Sequence, residues 1–394
     1  MSIHLKILII IISLSGMACT NADKSVNNGS NKYIHIPVCN VNNNYADSLI
    51  VVCEAIPLET NENCLISNIH KLHVTDNYLY VWDRKLEKIY IFDHQGHFVN
   101  SIHNQGNGPD KYISINGFEM DTRSNKIVLS DSFSRRIFIY DETGEFQKTV
   151  PLSFVPFNIV PVGNGMYYNL YGGSNMYYED KNLEYNCIHV IDSTGKVMHT
   201  LLPDQTTERI DLRSNFTTNI DTDSSLLYNP ILSDTIYKVC TDSVSPYYVF
   251  SNHSNYKIPS LEERKKIGYV YGVRNDYEQY EKSGYLLSWG GFLNTDNYMF
   301  FLFGWNKTLY LIYSKENLNS IMISRDEIEV NSDSPTGILL KQSPYTAYKD
   351  WFYTSVMAFD IDDCMQFIHN IDNERLKNVS AEDNPVLIRY KIKF

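Results

Sequence analysis

Apolar and polar residues alternate along this chain in short runs, and the runs are separated by Asp, Gly, Asn and Ser rather than joined into long amphipathic stretches. Alternation of period two, bounded by turn residues, marks half-buried strands. The clearest case is residues 78–150, where one phrase occurs twice. Residues 78–102 read YLYVWDRKLEKIYIFDHQGHFVNSI, residues 126–150 read KIVLSDSFSRRIFIYDETGEFQKTV, and the two align without a gap. Asp83 falls on Asp131, Lys88 on Arg136, Ile89 and Ile91 on Ile137 and Ile139, Phe92 on Tyr140, Asp93 on Asp141, Gly96 on Gly144 and Phe98 on Phe146. An all-strand unit of about 40–50 residues has the period of a β-propeller blade.

The remaining blades follow the same pattern with more divergence. Residues 113–120 supply the innermost strand of the second blade. A third copy runs from 165–171, through an insertion rich in Gly, Asn and Tyr, to 188–197, where Asp192 and Gly195 match Asp141 and Gly144. Residues 226–230 and 232–239 form a fourth, and 298–303 with 308–313 a fifth. The sixth is assembled from 351–359, the alternating C-terminal segment 385–394 and the β-branched N-terminal strand 48–58, which closes the ring. The expected fold is all-β, a six-bladed propeller with a short helical insertion between blades four and five. That insertion, 259–285, opens on Ser260 with Glu263 three residues on, the pattern of a capping box. Residues 357–370 read equally as helix or strand. The repeated Asp83 and Asp131 are expected to accept hydrogen bonds from loop N–H groups, and Gly96 and Gly144 to adopt a positive φ.

Blades of one ring are cooperative parts of a single domain, so 394 residues imply one domain of about 350 residues. The net charge of −12, without a long Lys/Arg run, argues against nucleic acid as a partner. The 30 Tyr and 18 Phe suit pleated, half-buried surfaces. At the N-terminus, Lys6 precedes an apolar run at 7–14 that is too short to span a bilayer, and small residues at 15–18 lead to Cys19. Residues 20–32 are polar and rich in Asn and Ser, the composition of a flexible tether. The organisation is therefore a signal peptide at 1–18, a tether at 19–32 and the propeller at 33–394. The other cysteines, 39, 53, 64, 187, 240 and 364, form no CxxC pair; disulfides and buried free thiols both remain open for them.

Two resemblances extend this reading. Ala18-Cys19 resembles the lipobox of bacterial lipoproteins, with Gly16 where Leu, Val or Ile is usual. The resemblance implies a lipid on Cys19, and Thr20 in place of Asp implies the outer membrane. The propeller portion resembles the six-bladed β-propeller lipoproteins of Gram-negative gut bacteria, which are distantly similar to NHL-repeat propellers. The residues that carry this are the loop Gln105-Gly106-Asn107-Gly108-Pro109-Asp110-Lys111-Tyr112, similar to a G-x-G-P-x-E-[YF] motif, together with 232–239 and 383–387. Lys111 stands where that motif has an acidic residue, with Asp110 beside it. The resemblance implies a scaffold and no particular reaction.

Candidate chemistry is sparse. The loop of Gly106, Gly108, Pro109 and Tyr112 lacks the Lys-Ser/Thr of a P-loop and reads as an inter-blade turn. His94, His97 and His103 have a spacing seen in metal sites, but the first two align with Glu142 and Glu145 in the same hairpin, so they read as solvent-facing positions. Asn219, Asp221 and Asp223 imitate a calcium loop without its Gly or closing Glu, and Asp360, Asp362 and Asp363 form a second acidic cluster. No cofactor is expected; calcium or another channel metal stays open. Ser193 with Lys196 and Ser254 with Lys257 match SxxK without partner motifs. Tyr168, Tyr171, Tyr177 and Tyr178 crowd one insertion, and Tyr269 and Tyr271 the other, and aromatic platforms suit glycans or peptides. The expected function is a lipid-anchored outer-membrane propeller, facing the periplasm or the surface, that binds a glycan, peptide or protein. The alternative is a lactonase-like or glycan-cleaving enzyme with a channel metal.

Overall fold

A computed structural model describes residues 33–170, 186–203, 219–220, 225–230, 233–260, 263, 280–286, 288–304, 307–328, 334–370 and 374–394. Six sheets are arranged as the blades of a propeller. Blade 1 comprises Lys71–Val74, Leu79–Asp83, Lys88–Phe92 and Phe98–Ile102. Blade 2 comprises Gly117–Asp121, Lys126–Asp131, Arg136–Asp141 and Phe146–Pro151. Blade 3 is Asn158–Pro161, Tyr167–Leu170, Asn186–Ile191 and Val197–Pro203, and blade 5 is Ser288–Asn294, Tyr298–Phe303, Leu309–Ser314 and Asn319–Ser324. Within each, neighbouring strands pair antiparallel in chain order, and the first strands of successive blades lie together around the axis.

The near-continuous apolar runs of blade 2 follow from burial on both faces. Phe118, Met120, Ile127, Leu129, Phe138 and Tyr140 pack towards blade 1, while Val128, Ile137, Ile139 and Val150 pack towards blade 3. Turns are equally constrained. Gly96 and Gly144 have φ of +80° and +90°, as their alignment implies, and a Cβ at Gly96 would lie 2.2 Å from the Pro57 carbonyl oxygen.

Blade 6 closes the ring with both ends of the chain. Thr346–Tyr348, Trp351–Val356 and the C-terminal Val386–Ile392 are completed by the N-terminal Ile50–Pro57, with Ala55 opposite Ile388 and Ile56 opposite Leu387. The cross-strand pair Glu54–Arg389 adds an ion pair at 2.5 Å, and the guanidinium lies 4.6 Å from the Trp351 ring centre.

Blade 4 departs from expectation. Besides Asn219–Ile220, Leu226–Tyr228, Thr235–Cys240 and Ser243–Asn252 it carries Ile34–Val38 as a fifth strand, parallel to the fourth. Ile36 and Val38 are fully buried in the seam with blade 5, which is why this segment docks. The capping box at the start of the insertion is formed: Ser260 N and Oγ both donate to Glu263 Oε2 at 2.9 Å, and Glu263 N donates to Ser260 Oγ at 3.3 Å. Most of the insertion lies outside the described residues. The ambiguous stretch 357–370 is helical, with a 3-10 turn Ala358–Asp360 and helix Ile361–Met365. Ile361, Cys364 and Ile368, at helical spacing, are buried against blades 5 and 6.

Candidate functional site

Chemistry-bearing side chains converge where the first strands of blades 1 and 2 meet beside the axis. In Lys71–Val74 the alternation sends Leu72 and Val74 into the seam with blade 6 and leaves Lys71 and His73 for the other side. Both meet Glu119 of the blade 2 first strand, which is 1% exposed. Lys71 Nζ lies 2.5 Å from Glu119 Oε1, and His73 Nε2 lies 3.2 Å from Oε2 and 3.1 Å from the Phe118 carbonyl oxygen. Burial alone would push this carboxyl up, but the Lys71 charge and the His73 hydrogen bond and charge outweigh it and hold the group down to about 2. The cluster is thus an ionised brace between two blades, anchored by Lys71 on Oε1, with the single Nε2 position of His73 shared between Oε2 and the Phe118 carbonyl oxygen. A metal ion here would have to compete with the Lys71 ammonium for one oxygen. Among the described residues no group of three or more His, Cys, Asp and Glu side chains could hold a metal.

A second feature lies at the far ends of the same blades, on the face that carries the hairpins between second and third strands. We call it the connector face, because the segments entering blades 1 and 2 cross it. Asp83, fully buried, ends the second strand of blade 1. Its Oδ2 accepts from Ser67 N at 2.6 Å and Asn68 N at 3.2 Å, and its Oδ1 from Ser67 Oγ at 2.9 Å and Leu86 N at 3.2 Å. Asp131 repeats this in blade 2: Oδ2 accepts from Ile113 N and Ser134 Oγ at 2.7 Å, Oδ1 from Phe133 N at 2.8 Å and Ser134 N at 3.2 Å. Glu87 joins the two, its carboxylate accepting from Ser114 Oγ and Ile115 N at 2.7 Å each. Each carboxylate ties a hairpin to a connector, and the expected turn role of Asp83 and Asp131 is met.

The loop of Gly106, Gly108, Pro109 and Tyr112 stands on this face and its backbone is folded on itself. Gly106 N donates to Tyr112 O at 2.9 Å, and Tyr112 N to Asn104 O at 3.2 Å. The buried Tyr112 hydroxyl donates to Glu87 O at 2.7 Å and accepts from Asn104 N at 3.1 Å. Thr149 Oγ1 reaches Pro109 O at 3.0 Å. On top of this hydrogen-bonded base stand four exposed apolar side chains, Leu65, Leu86, Ile113 and Phe133, the last 71% exposed.

Other candidates are dispersed. Tyr168 is 2% exposed within the core between blades 3 and 4, so its ring is packing, and burial pushes its hydroxyl up. Tyr171, Tyr177, Tyr178, Tyr269 and Tyr271 lie outside the described residues, as do Cys19, Asp221 and Asp223. His94 Nε2 faces the Thr75 carbonyl oxygen at 2.9 Å, whereas the exposed His97 pairs through Nδ1 with Asp93 Oδ2 at 2.9 Å; the two do not converge. Lys257 lies 3.5 Å from Glu263 and over the Tyr285 ring, while Ser254 caps its own turn, so this SxxK match assembles no nucleophile. Among the described residues Cys39, Cys53, Cys64, Cys187, Cys240 and Cys364 form no disulfide. Cys53 and Cys364 are buried in one core, and burial chiefly pushes them up to about 12 and about 11. Sequence reasoning passed over Lys71, His73 and Glu119. The available signal was a charged residue between Phe118 and Met120 in an expected innermost strand.

Six blades around one axis, five of four strands and one of five, closed by strands from both ends of the chain, define a six-bladed β-propeller. Within that class the chain belongs to the DUF4934 family, a domain of unknown function, whose model matches residues 34–391. A crystal structure of a Bacteroides fragilis NCTC 9343 protein inferred to be exported is similar in fold, with a TM-score of 0.71 and 21% identity over 91% of this chain and 100% of the other. A DUF4221 family member from Bacteroides vulgatus aligns with a TM-score of 0.50 and 12% identity, over 88% of this chain and 97% of its own. No curated protein matches the chain significantly.

Proposed function

We propose that this chain is a lipid-tethered envelope propeller, related to NHL-type propellers, that acts as a binding module for a glycan, peptide or protein partner. One observation carries the binding reading: four apolar side chains are held exposed on a hydrogen-bonded base at the connector face of blades 1 and 2. Exposed apolar clusters on a preorganised base are characteristic of interaction sites. The tether reading is supported by the apolar run at 7–14 ending at Ala18-Cys19 and by a fold relative inferred to be exported. No helix among the described residues is long and apolar enough to cross a membrane. Thr20 beside Cys19, in place of Asp, supports the outer membrane as the site of the tether.

The rival enzyme reading draws on the Lys71–His73–Glu119 cluster. Immobilised mature chain, challenged with a glycan array and with envelope extract, separates the two. Saturable retention of a defined ligand, unchanged in Glu119→Gln, supports the module. Turnover of a glycan or lactone that Glu119→Gln abolishes supports the enzyme and overturns the module.

A further inference from the structure

We propose that the connector face of blades 1 and 2 binds a short acidic peptide segment with an aromatic or branched apolar anchor, presented by a protein partner. The inference rests on the binding-module reading and narrows it to one surface and one ligand chemistry.

Three observations lead there. First, the segments that bear the apolar side chains are tied to one another. Asp83 ties Leu86 to the segment that bears Leu65, Glu87 ties that hairpin to the segment that bears Ile113, and Asp131 ties Ile113 to Phe133. The Tyr90 hydroxyl donates to the Leu65 carbonyl oxygen, fixing the first of these segments to blade 1. Second, the surface is rigid before any ligand arrives, since its hairpins and connectors end on buried carboxylates, so little ordering entropy opposes binding.

Third, the charge around it runs against that of the chain. Arg84, Lys85 and Lys111 are exposed beside Leu86 and Ile113, and Arg135 is exposed two residues after Phe133. The nearby acids Asp83, Glu87 and Asp131 have their oxygens occupied by loop groups, and Glu59 accepts from Asn61 Nδ2 and Phe98 N. Glu62 and Asp110 are the remaining carboxylates of these loops. Asp83 and Asp131 are buried and Glu59, Glu87 and Asp110 half-buried, so among the exposed charges of these loops the cations Arg84, Lys85, Lys111 and Arg135 face Glu62 alone, on a protein of net charge −12. Cationic side chains around apolar pockets recognise acidic motifs, the charges setting register and on-rate and the anchor setting affinity. An extended anionic bilayer fits less well. It would meet the loops of the other blades as well, whereas a short segment meets the local cations alone.

The test uses the full-length protein in detergent micelles and a fluorescent probe of about twelve residues, Asp and Glu with Phe and Leu at every fourth position. Its counterparts carry Lys for every acid, or are vesicles containing phosphatidylglycerol. The expected result is binding of the acidic probe at least about tenfold tighter than the Lys probe, weakening with salt. Phe133→Ser and the double change Arg84→Glu, Lys85→Glu each lower that affinity by about tenfold or more, while Thr122→Ser, on the opposite face of blade 2, leaves it unchanged. Equal binding of both probes, indifference to these variants, or preference for vesicles overturns the proposal. If the probe fails while the array or extract still yields a ligand, this site is lost and the module reading stands; if those also fail, both are lost.

Discussion

Asp131 shows how a single side chain can do structural work that resembles chemistry. It is fully buried and charged, and four loop donors converge on it. Asp131→Ala strips the part-buried Ile113 N–H of its carboxylate partner, and a hydrogen bond to a charged group contributes about 1.5–3 kcal/mol. A drop in stability of that order by urea titration is expected, together with weakened probe binding, because Ile113 and Phe133 lose their support. Lys71 and Glu119 are unequal partners. Lys71→Met leaves a buried carboxylate with His73 alone and is expected to cost about 3–5 kcal/mol. Glu119→Gln keeps a neutral acceptor beside two side chains that can turn to water, and costs less. Because Glu119 is held at about 2, against an ordinary value of 4.5, its stabilising contribution is complete above pH 5 and disappears as pH falls through that interval. Acid titration followed by circular dichroism should therefore show a shallower loss between pH 5 and 2 in Glu119→Gln than in the parent. The turn roles of Asp83, Asp131, Gly96 and Gly144 were legible in the sequence because repetition exposed them. The Lys71–His73–Glu119 cluster was not, since Lys71 and Glu119 are 48 residues apart in chain and meet only when two first strands stand side by side.

At the scale of elements, closure and decoration separate. Ile50–Pro57 and Val386–Ile392 pair with each other and join the two chain ends in blade 6. Removing residues 386–394 should abolish cooperative thermal unfolding. Removing residues 33–42 takes away the extra parallel strand of blade 4, with the buried Ile36 and Val38 each worth about 1.5–3 kcal/mol, and the Val41–Met322 bridge to blade 5. The ring stays closed, so calorimetry should show a lower Tm with a single transition. A single broad, non-cooperative melt in this second variant would contradict that division. The closing strand was readable from its β-branched run and the alternation of its partner. The parallel strand was missed because a short segment such as IHIPV signals a strand without naming its neighbour, and docking depends on apolar surface supplied by Phe250 and Phe301 far along the chain. The stretch 357–370 was ambiguous because a five-residue helix is too short to display a helical period unaided.

For the whole molecule, the ring was legible from its repeats, whereas the binding surface was sought where the repeats disagree, in the tyrosine-rich insertions. The proposed surface lies on the two clearest copies, at hairpins whose residues differ between them, Leu86 aligning with Ser134 and Phe133 with Lys85. Periodicity assigns Leu86 and Phe133 to hairpins but gives no hint that connectors bring Leu65 and Ile113 beside them. The tether makes a separate prediction: Cys19→Ala should move the protein from the membrane fraction to the soluble fraction and abolish lipid labelling, and a variant still lipid-labelled at the membrane contradicts it. The claim that a partner engages the connector face is tested most directly by a photo-crosslinking residue placed in living cells, at Phe133 or at Thr122 across blade 2. Both positions are exposed and belong to one blade, so folding and abundance are matched. A discrete protein adduct from position 133, absent from position 122 and lost when Arg84 and Lys85 are changed to Glu, is the predicted result. Adducts from position 122 alone, or from both positions irrespective of those charges, would contradict the account.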